Sequence, residues 1–295
     1  MKILKDIQSE ARNLATVFEK TGAEVVDPDF LQISNVLLDL YGEDIRGRAF
    51  ITNDSVYGEI MLRPDFTIPI VQQHMEKSVS SARYTYCGKV FRRQEEFPDR
   101  PREFLQVGYE IFDGANPEKA DAEVFSLVNE ALNGIPVRIA TGDIGILMAA
   151  VRSLSTTETR KKALLRHIWR PHRFRALLNQ FSGLSSKSQP NQNFEDYNKL
   201  LDKCQIIGSR NVQEIKERLQ QIKLETETDP IDPEEVKILD ELISLKDGCT
   251  VALSHLEKIS KKMPGIALTV DNFAKRLSFL QKNGTNVDLL DFEGS

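Results

Sequence analysis

Two long β-like segments joined by a polar loop constrain the fold of this chain more than any other feature. Residues 83–93 and 102–113 are rich in valine, phenylalanine, tyrosine and isoleucine, whereas residues 94–101 between them are polar and contain Pro98 and Pro101. Runs of this kind on either side of a polar connection are typical of an antiparallel hairpin. Because hairpins build antiparallel sheets, the pattern argues against a doubly wound parallel fold.

Helical patterns surround the predicted hairpin. Apolar side chains recur at helical spacing in several segments, and proline or Asn-Gly signals mark some of their ends. The predicted helices are 3–20, 33–40, 67–77, 117–132 and 271–282, and short strands are predicted at 23–27, 49–52, 59–62, 136–141 and 287–292. Residues 142–262 are mainly helical in pattern, with a linker at 182–193. We therefore predict an α+β fold, in which an antiparallel sheet is flanked by helices and followed by a helical region.

Composition excludes several classes of protein. The chain has 295 residues and a formal net charge of −5, which is typical of a globular protein and not of a dedicated nucleic-acid binder. No apolar run approaches the ~18 residues of a membrane helix, and the charged N-terminus has no signal-peptide pattern. Cys87, Cys204 and Cys249 are widely spaced, and the four histidines lack a metal-ligand spacing. We predict no metal site, no cofactor and a location in the reducing cytoplasm.

Candidate ligand-binding residues concentrate between positions 62 and 110. Side chains alternate faces along a strand, so Gln106 and Glu110 project from one side with Gly108 between them. A glycine there leaves room for a ligand on the sheet. Arginine provides a planar fork for a carboxylate or phosphate, and Asp65 and Glu110 suit an ammonium group, so the set fits a zwitterion such as an amino acid. The alternative is a solvated hairpin with ion pairs on its exposed face.

The order of these segments resembles the catalytic core of class II aminoacyl-tRNA synthetases, specifically the histidyl branch. MLRPDFTIPI (61–70) resembles that branch's LRPE-x-T segment, GKVFRRQEEFPDRPREF (88–104) its motif 2, and FLQVGYEIF (104–112) its histidine-contact strand. Two families share this core, the synthetases and the regulatory subunits of ATP phosphoribosyltransferase. The sequence resembles the regulatory family more closely at three places: Asp65 in place of glutamate, REFLQVGYE, and GDIGILMAAVRSL (142–154).

The resemblance implies a histidine site, a partner and a domain order. Its site residues would be Asp65 and Glu110 for the ammonium or imidazole, Arg92 for the carboxylate, and Gln106 and Thr67 for orientation. Arg63, Arg100 and Arg102 are secondary candidates for a ligand or phosphate. The partner would be a short-form catalytic subunit, with self-association as a dimer. Residues 1–141 would begin the core, 142–265 form a helical insertion, and 266–295 return to the core.

Departures from the synthetase pattern argue against catalysis. Gln94 stands where motif 2 has a glutamate near the adenine, and neither motif 3 nor an anticodon-binding domain follows. We therefore expect no catalytic residue, and a regulatory role in histidine biosynthesis with histidine feedback. The alternative is a histidyl-tRNA synthetase-like enzyme that activates histidine with ATP. The strand-like run at the C-terminus leaves two interpretations open, a chain cut short before motif 3 or a natural edge strand.

A basic run at 160–175 stands apart from these motifs. It contains seven arginines and lysines interleaved with Trp169 and Phe174. A basic and aromatic mixture binds nucleic acid through phosphate contacts and stacking. Because apolar residues also follow a helical stripe there, we expect mainly a solvated helix face, with a subunit contact as the first alternative, and we predict neither a nucleic-acid partner nor a membrane partner.

Overall fold

The computed structural model describes residues 2–35, 38, 43–94, 99–184 and 212–294. The chain divides into two compact units, which we describe separately. The first unit comprises Met1–Val137 and Lys275–Asn286, and the second comprises Arg138–Ala274 and Val287–Ser295. Within the described residues, no helix combines the length and the apolar character needed to cross a membrane.

The described residues of the first unit form two three-stranded sheets and three complete helices. Its strands are β1 (Glu24–Val25), β2 (Leu31–Ile33), β3 (Ile51–Asp54), β4 (Gly58–Leu62), β5 (Ser81–Phe91) and β6 (Glu103–Asp113). Its helices are α1 (Lys2–Glu19), α2 (Thr67–Lys77) and α3 (Pro117–Ala131). The predicted helices at 3–20, 67–77 and 117–132 are confirmed. Most of the helix predicted at 33–40 lies outside the described residues.

The predicted hairpin is confirmed and forms the larger part of the first sheet. β5 and β6 pair antiparallel along their whole length, from Ser81 opposite Asp113 to Phe91 opposite Glu103. β1 adds to the other edge of β5 in the parallel direction, so the strand order is β1-β5-β6. The second sheet has the order β2-β4-β3 and is antiparallel throughout.

Both faces of the β5–β6 hairpin are covered by helices. On one face, Phe66 and Ile70 at the start of α2 pack against Tyr84, Tyr86 and Val90 of β5. On the opposite face, residues of α1 and α3 pack against β6 in a cluster that includes Phe18, Ala23, Tyr109, Val107 and Val124. Because side chains alternate along β6, Gln106 and Glu110 point to the α2 side and Tyr109 to the α1 side.

The second unit is mainly helical, as predicted. Its helices are α4 (Ile144–Ser153), α5 (Glu158–Arg166), α6 (Pro171–Phe181), α7 (Val212–Glu227), α8 (Pro233–Ser244) and α9 (Cys249–Lys262). Helix α10 (Ala267–Lys282) begins here, and its residues from Lys275 onward belong to the first unit. Part of the linker predicted at 182–193 lies outside the described residues.

A small sheet in the second unit corrects two strand predictions. It contains β7 (Ala140–Thr141), β8 (Lys246–Gly248) and β9 (Asp291–Glu293), in the order β7-β9-β8. The strand predicted at 136–141 is therefore only two residues long, because β9 is short and pairs with those two residues alone. β9 is also the central strand of its sheet and not an edge strand, and a 3-10 turn at Val287–Leu289 replaces the first half of the predicted run.

Candidate functional site

The predicted histidine-contact residues lie on the α2 side of the β5–β6 hairpin. Gln106, Gly108 and Glu110 share one face of β6, because successive side chains of a strand point to opposite faces. Their direct partners on β5 are Gly88, Tyr86 and Tyr84. Helix α2 begins at Thr67, beside this surface. The hairpin and the start of α2 therefore bring the two predicted segments, 61–70 and 104–112, to one place.

A hydrogen-bonded group of three residues, Asp65, Thr67 and Glu110, forms one side of the site. The Thr67 hydroxyl donates to Glu110 Oε1 at 3.0 Å, and the Thr67 backbone N–H donates to Asp65 Oδ1 at 3.2 Å. Burial raises the pKa of Glu110, the Thr67 hydrogen bond opposes that rise, and the negative charge of Asp65 adds to it. Two carboxylates this close repel each other, so a cation placed between them gains free energy.

Tyr86 fills the position that sequence reasoning left open above Gly108. A Cβ atom at Gly108 would lie 2.2 Å from both Cζ and Oη of Tyr86. The Tyr86 ring is also stacked on Phe66, with centroids 4.2 Å apart and planes inclined by 11°. The expectation that Gly108 leaves room for a ligand on the sheet is therefore wrong. The glycine instead accommodates a tyrosine from the neighbouring strand, a packing known for glycine opposite an aromatic residue.

The Tyr86 hydroxyl lies among the predicted ligand-binding side chains. Gln106 Nε2 donates to it at 3.4 Å. Burial is the main reason that the pKa of Tyr86 is raised, and the charges of Glu110 and Asp65 raise it further, whereas Gln106 and Arg92 lower it. Four of the predicted residues thus act on one hydroxyl group. Sequence reasoning missed Tyr86, and only the cross-strand register, with Tyr86 opposite Gly108, identifies it.

Arg92 and Gln106 keep hydrogen-bonding capacity that the described residues do not use. Arg92 Nε donates to the carbonyl of Pro64 at 2.7 Å, and the guanidinium lies 5.4 Å from the centroid of the Phe104 ring. Within the described part of the chain, its terminal nitrogens make no hydrogen bond. Gln106 Oε1 is buried and also lacks a hydrogen-bond partner there. Such an orphaned acceptor is uncommon in a protein interior and marks a position where a donor stabilises the site.

Arg63 occupies a different environment from the other predicted residues. Its side chain is fully buried and lies between the rings of Phe30, at 4.5 Å, and Phe66, at 3.9 Å. Nε donates to the Lys89 carbonyl at 2.9 Å, and Nη1 donates to Asp27 Oδ1 at 3.2 Å and to the Pro28 carbonyl. Burial lowers the pKa of Arg63, and Asp27 opposes that effect. Arg63 therefore joins the segment before β2 to β5 from inside the core.

Arg100 and Arg102 lie at the entrance to β6 and are both exposed. The Arg102 carbonyl accepts a hydrogen bond from the Arg92 N–H at 2.9 Å, which extends the strand pairing by one residue beyond Phe91 and Glu103. Both arginines belong to the segment that joins β5 to β6, and neither is among the groups that shift the pKa of Tyr86 or of Glu110. Among the described residues, no cluster of three or more histidine, cysteine or acidic side chains has the arrangement of a metal site.

The chain is similar to known proteins over most of its length. A family model described as histidyl-tRNA synthetase matches residues 3–223. A protein of Rhizobium rhizogenes named ATP phosphoribosyltransferase regulatory subunit is 25% identical over 314 residues, covering 99% of this chain and 83% of the relative. A protein of the same name from Rhizobium etli is 27% identical, covering 97% and 81%. Another from Brucella ovis is 31% identical over 166 residues, covering 55% and 43%.

Solved structures support the fold. One from Bacillus halodurans, titled as an ATP phosphoribosyltransferase regulatory subunit/histidyl-tRNA synthetase, has a TM-score of 0.67 and 18% identity. A histidyl-tRNA synthetase from Nostoc has a TM-score of 0.61 and 14% identity. They cover 99% and 98% of this chain, which spans 65% and 57% of theirs. The chain therefore has the class II synthetase-like α+β fold and belongs to the histidyl-tRNA synthetase family, in which its curated relatives are ATP phosphoribosyltransferase regulatory subunits.

Proposed function

We propose that this chain is the regulatory subunit of an ATP phosphoribosyltransferase and acts in the first step of L-histidine biosynthesis. It would associate with a short-form catalytic subunit, promote the condensation of ATP with phosphoribosyl pyrophosphate, and transmit inhibition by histidine. The observation that carries the proposal is the site around Tyr86, in a chain that aligns over nearly its full length with regulatory subunits. We place this function in the cytoplasm.

The geometry supports histidine as the ligand. Glu110 and Asp65 provide negative charge on one side, bridged through Thr67. Arg92 has terminal nitrogens that donate to no described residue, and a guanidinium fork matches the ligand's carboxylate. Gln106 contributes an amide whose buried oxygen lacks a donor within the described residues, which suits an N–H group of the ligand. The site is therefore complementary to a zwitterion with an additional hydrogen-bond donor.

Self-association as a dimer is supported by an exposed apolar groove in the first unit. Its volume is about 650 Å³, and its lining includes Phe30, Leu31, Ile33 and Tyr57. These four side chains are between 47 and 68% exposed. Within the described residues β2 is an edge strand of its sheet, so the groove borders a strand edge as well as apolar side chains. Association of two copies at this surface would remove both features from water.

Histidine inhibition requires that the ligand bind two states of the complex with different affinities. A coupling free energy of ~1–3 kcal/mol corresponds to a change in affinity of about 5–150-fold. By linkage, the catalytic subunit must change the affinity for histidine by the same factor that histidine changes the affinity for the catalytic subunit. The two changes in affinity can be measured separately, and the proposal requires that their factors be equal.

A second candidate function is adenylation of histidine, which the family model's description favours. Gln94 argues against it, because a neutral amide cannot supply the charge of the glutamate in motif 2. We therefore propose that the chain lacks catalytic activity of its own. Exchange of pyrophosphate into ATP that depends on histidine would reverse this ranking.

The test is co-elution of this chain with a short-form catalytic subunit on a sizing column, followed by assay of the shared peak. We expect higher phosphoribosyltransferase activity than for the catalytic subunit alone, and inhibition by histidine. Glu110→Gln should keep co-elution and lose sensitivity to histidine. The matched control is Glu130→Gln, an exposed carboxylate on α3 at the opposite face of the sheet. Separate peaks with unchanged activity and unchanged histidine response would contradict the proposal.

A further inference from the structure

The single tryptophan of the chain lies on the surface of the second unit. Trp169 is 74% exposed and sits in the turn between α5 and α6. Ile168 next to it is buried, so the turn presents one large apolar side chain outward while its neighbour anchors the turn inside. The folded chain leaves this aromatic surface in contact with water, so the free energy of burying it is not gained on folding.

Trp169 borders an apolar groove of about 320 Å³. Its walls include Ile144, Ile168 and Pro171. Two acidic residues also line it, and both are already engaged. Asp143 accepts a hydrogen bond from the Gly145 N–H at 2.8 Å and caps α4, and Glu293 is paired with Arg138. The groove therefore offers an incoming group mainly apolar contact.

Exposed cations flank the tryptophan along the chain. Lys162, Arg166, Arg170 and Arg173 are exposed, and in the described part of the chain they form neither an ion pair nor a hydrogen bond through their side chains. No aspartate or glutamate occurs between residues 159 and 194, although the whole chain carries a charge of −5. The surface thus has a local positive charge opposite in sign to that of the protein.

Other cations of the same basic run have structural roles. Arg160 is buried and donates to the Asp229 carbonyl at 2.7 Å. Lys161 pairs with Glu158 at 3.1 Å, and Arg175 Nη2 donates to Ser244 Oγ at 2.8 Å. The run therefore separates into side chains that hold the helices together and side chains that face outward beside Trp169. The second group is the one that is available to contact a binding partner.

We infer that Trp169 and its flanking cations form a docking surface for an acidic segment of the catalytic subunit. A large apolar side chain of that segment enters the groove beside Trp169, and its carboxylates face Arg166, Arg170 and Arg173. This inference rests on the proposed function and names the surface through which the partner binds. Tryptophan and arginine are the residues most enriched at the energetic centres of protein interfaces.

A protein segment fits this surface better than nucleic acid does. The groove has the volume of a single side chain beside an aromatic ring, whereas single-stranded nucleic acid uses an extended cationic track with several stacking rings. Trp169 is the only tryptophan, and Phe174 in the same run is buried. The net negative charge of the chain also opposes a polyanion beyond this patch.

The test measures the affinity of the full chain for the purified catalytic subunit by calorimetry, at low and at physiological ionic strength. Trp169→Ala should weaken binding by at least about 10-fold, since truncation of a central anchor costs that much or more. Arg166→Glu combined with Arg170→Glu should weaken it further and reduce its dependence on salt. The matched controls are Leu268→Ala, an apolar side chain 70% exposed elsewhere, and Lys258→Glu combined with Lys262→Glu on α9. They should bind like wild type.

The outcomes separate this inference from the proposed function. If wild-type protein binds the catalytic subunit and the Trp169 and arginine variants bind equally well, the docking surface is refuted and the regulatory function stands. If wild-type protein does not bind, both are refuted. A fluorescent single-stranded oligonucleotide is measured in parallel. Oligonucleotide binding that these substitutions abolish, with subunit binding intact, would assign the surface to nucleic acid instead.

Discussion

Replacement of Gly108 by alanine tests the packing on which the candidate site depends. The new Cβ would lie 2.2 Å from the Tyr86 ring, so the ring must move by about 1 Å to restore ordinary contact between carbon atoms. It cannot move freely, because Phe66 is stacked on its other side at 4.2 Å. The substitution therefore forces either a shift of β6 or loss of the stacked pair.

The expected cost follows from these contacts. Overpacking of a close-packed position costs ~1–3 kcal/mol, and loss of an aromatic pair ~0.5–1.5 kcal/mol. Alanine also restricts the unfolded chain more than glycine does, which offsets about 0.4–1 kcal/mol. The net destabilisation is about 0.5–4 kcal/mol, which lowers the melting temperature of a unit of this size by roughly 2–12 °C, at about 3 °C per kcal/mol. Histidine affinity should fall as well, because the Tyr86 hydroxyl leaves Gln106.

Thermal melting followed by calorimetry, with urea unfolding as a second measurement, provides the assay. Gly114→Ala is the matched control, because a Cβ there meets no atom within 4 Å and the residue lies just beyond β6. This control should melt within about 2 °C of wild type. Equal stability of the Gly108 and Gly114 variants would show that Tyr86 does not occupy the space above Gly108, and the account of the site would be wrong.

Three further predictions concern the first unit. Thr67→Val removes the hydrogen bond that opposes the raised pKa of Glu110, so this pKa should rise further. Because histidine binding needs the ionised carboxylate, the affinity for histidine should begin to fall at a higher pH than in wild type. Calorimetric titrations between pH 8 and pH 5 that overlay those of wild type would contradict this. Arg63→Met removes the donor to the Lys89 and Pro28 carbonyl groups and the packing between two rings, and it should destabilise the protein by about 2–4 kcal/mol in urea. An unchanged urea midpoint would refute the role given to this side chain. Glu123→Gln breaks a double hydrogen bond from Arg83 and should cost about 1–2 kcal/mol at pH 7. Because Arg83 lowers the pKa of Glu123 below its ordinary 4.5, this difference should persist above that pH and vanish as the pH falls through the lowered pKa, and a constant difference down to pH 2 would exclude the ion pair as its source.

Local patterns were sufficient to predict the elements that position the site. Helix α2 and the hairpin each have a periodicity that few other structures satisfy, and both form where the sequence predicts them. Their association was predicted from the resemblance of the two motifs to one family, and not from periodicity. The histidine-binding roles of Asp65, Thr67, Arg92, Gln106 and Glu110 remain predictions, to which the structure adds Tyr86, whose hydroxyl interacts with four of them.

The features that sequence reasoning missed depend on register and on burial. Eleven residues separate Phe91 from Glu103, so no tight turn fixes which residue lies opposite Gly108. Arg63 illustrates the second difficulty. Arginine is rarely buried, and nothing in its local sequence indicates that two aromatic rings and two backbone carbonyls surround it. Both features arise from contacts between segments far apart in the chain.

The stacking of Arg63 between aromatic rings has a mechanical consequence. Phe30, Arg63, Phe66 and Tyr86 form a continuous column of planar groups, with successive separations of 4.5, 3.9 and 4.2 Å. One end of the column is the exposed apolar groove and the other is the hydroxyl at the centre of the candidate site. Close-packed rings cannot be displaced one at a time. We therefore expect a group that displaces Tyr86 and a surface that presses on Phe30 to act on the same stack of planar groups, which links the candidate site to the groove without any change of secondary structure.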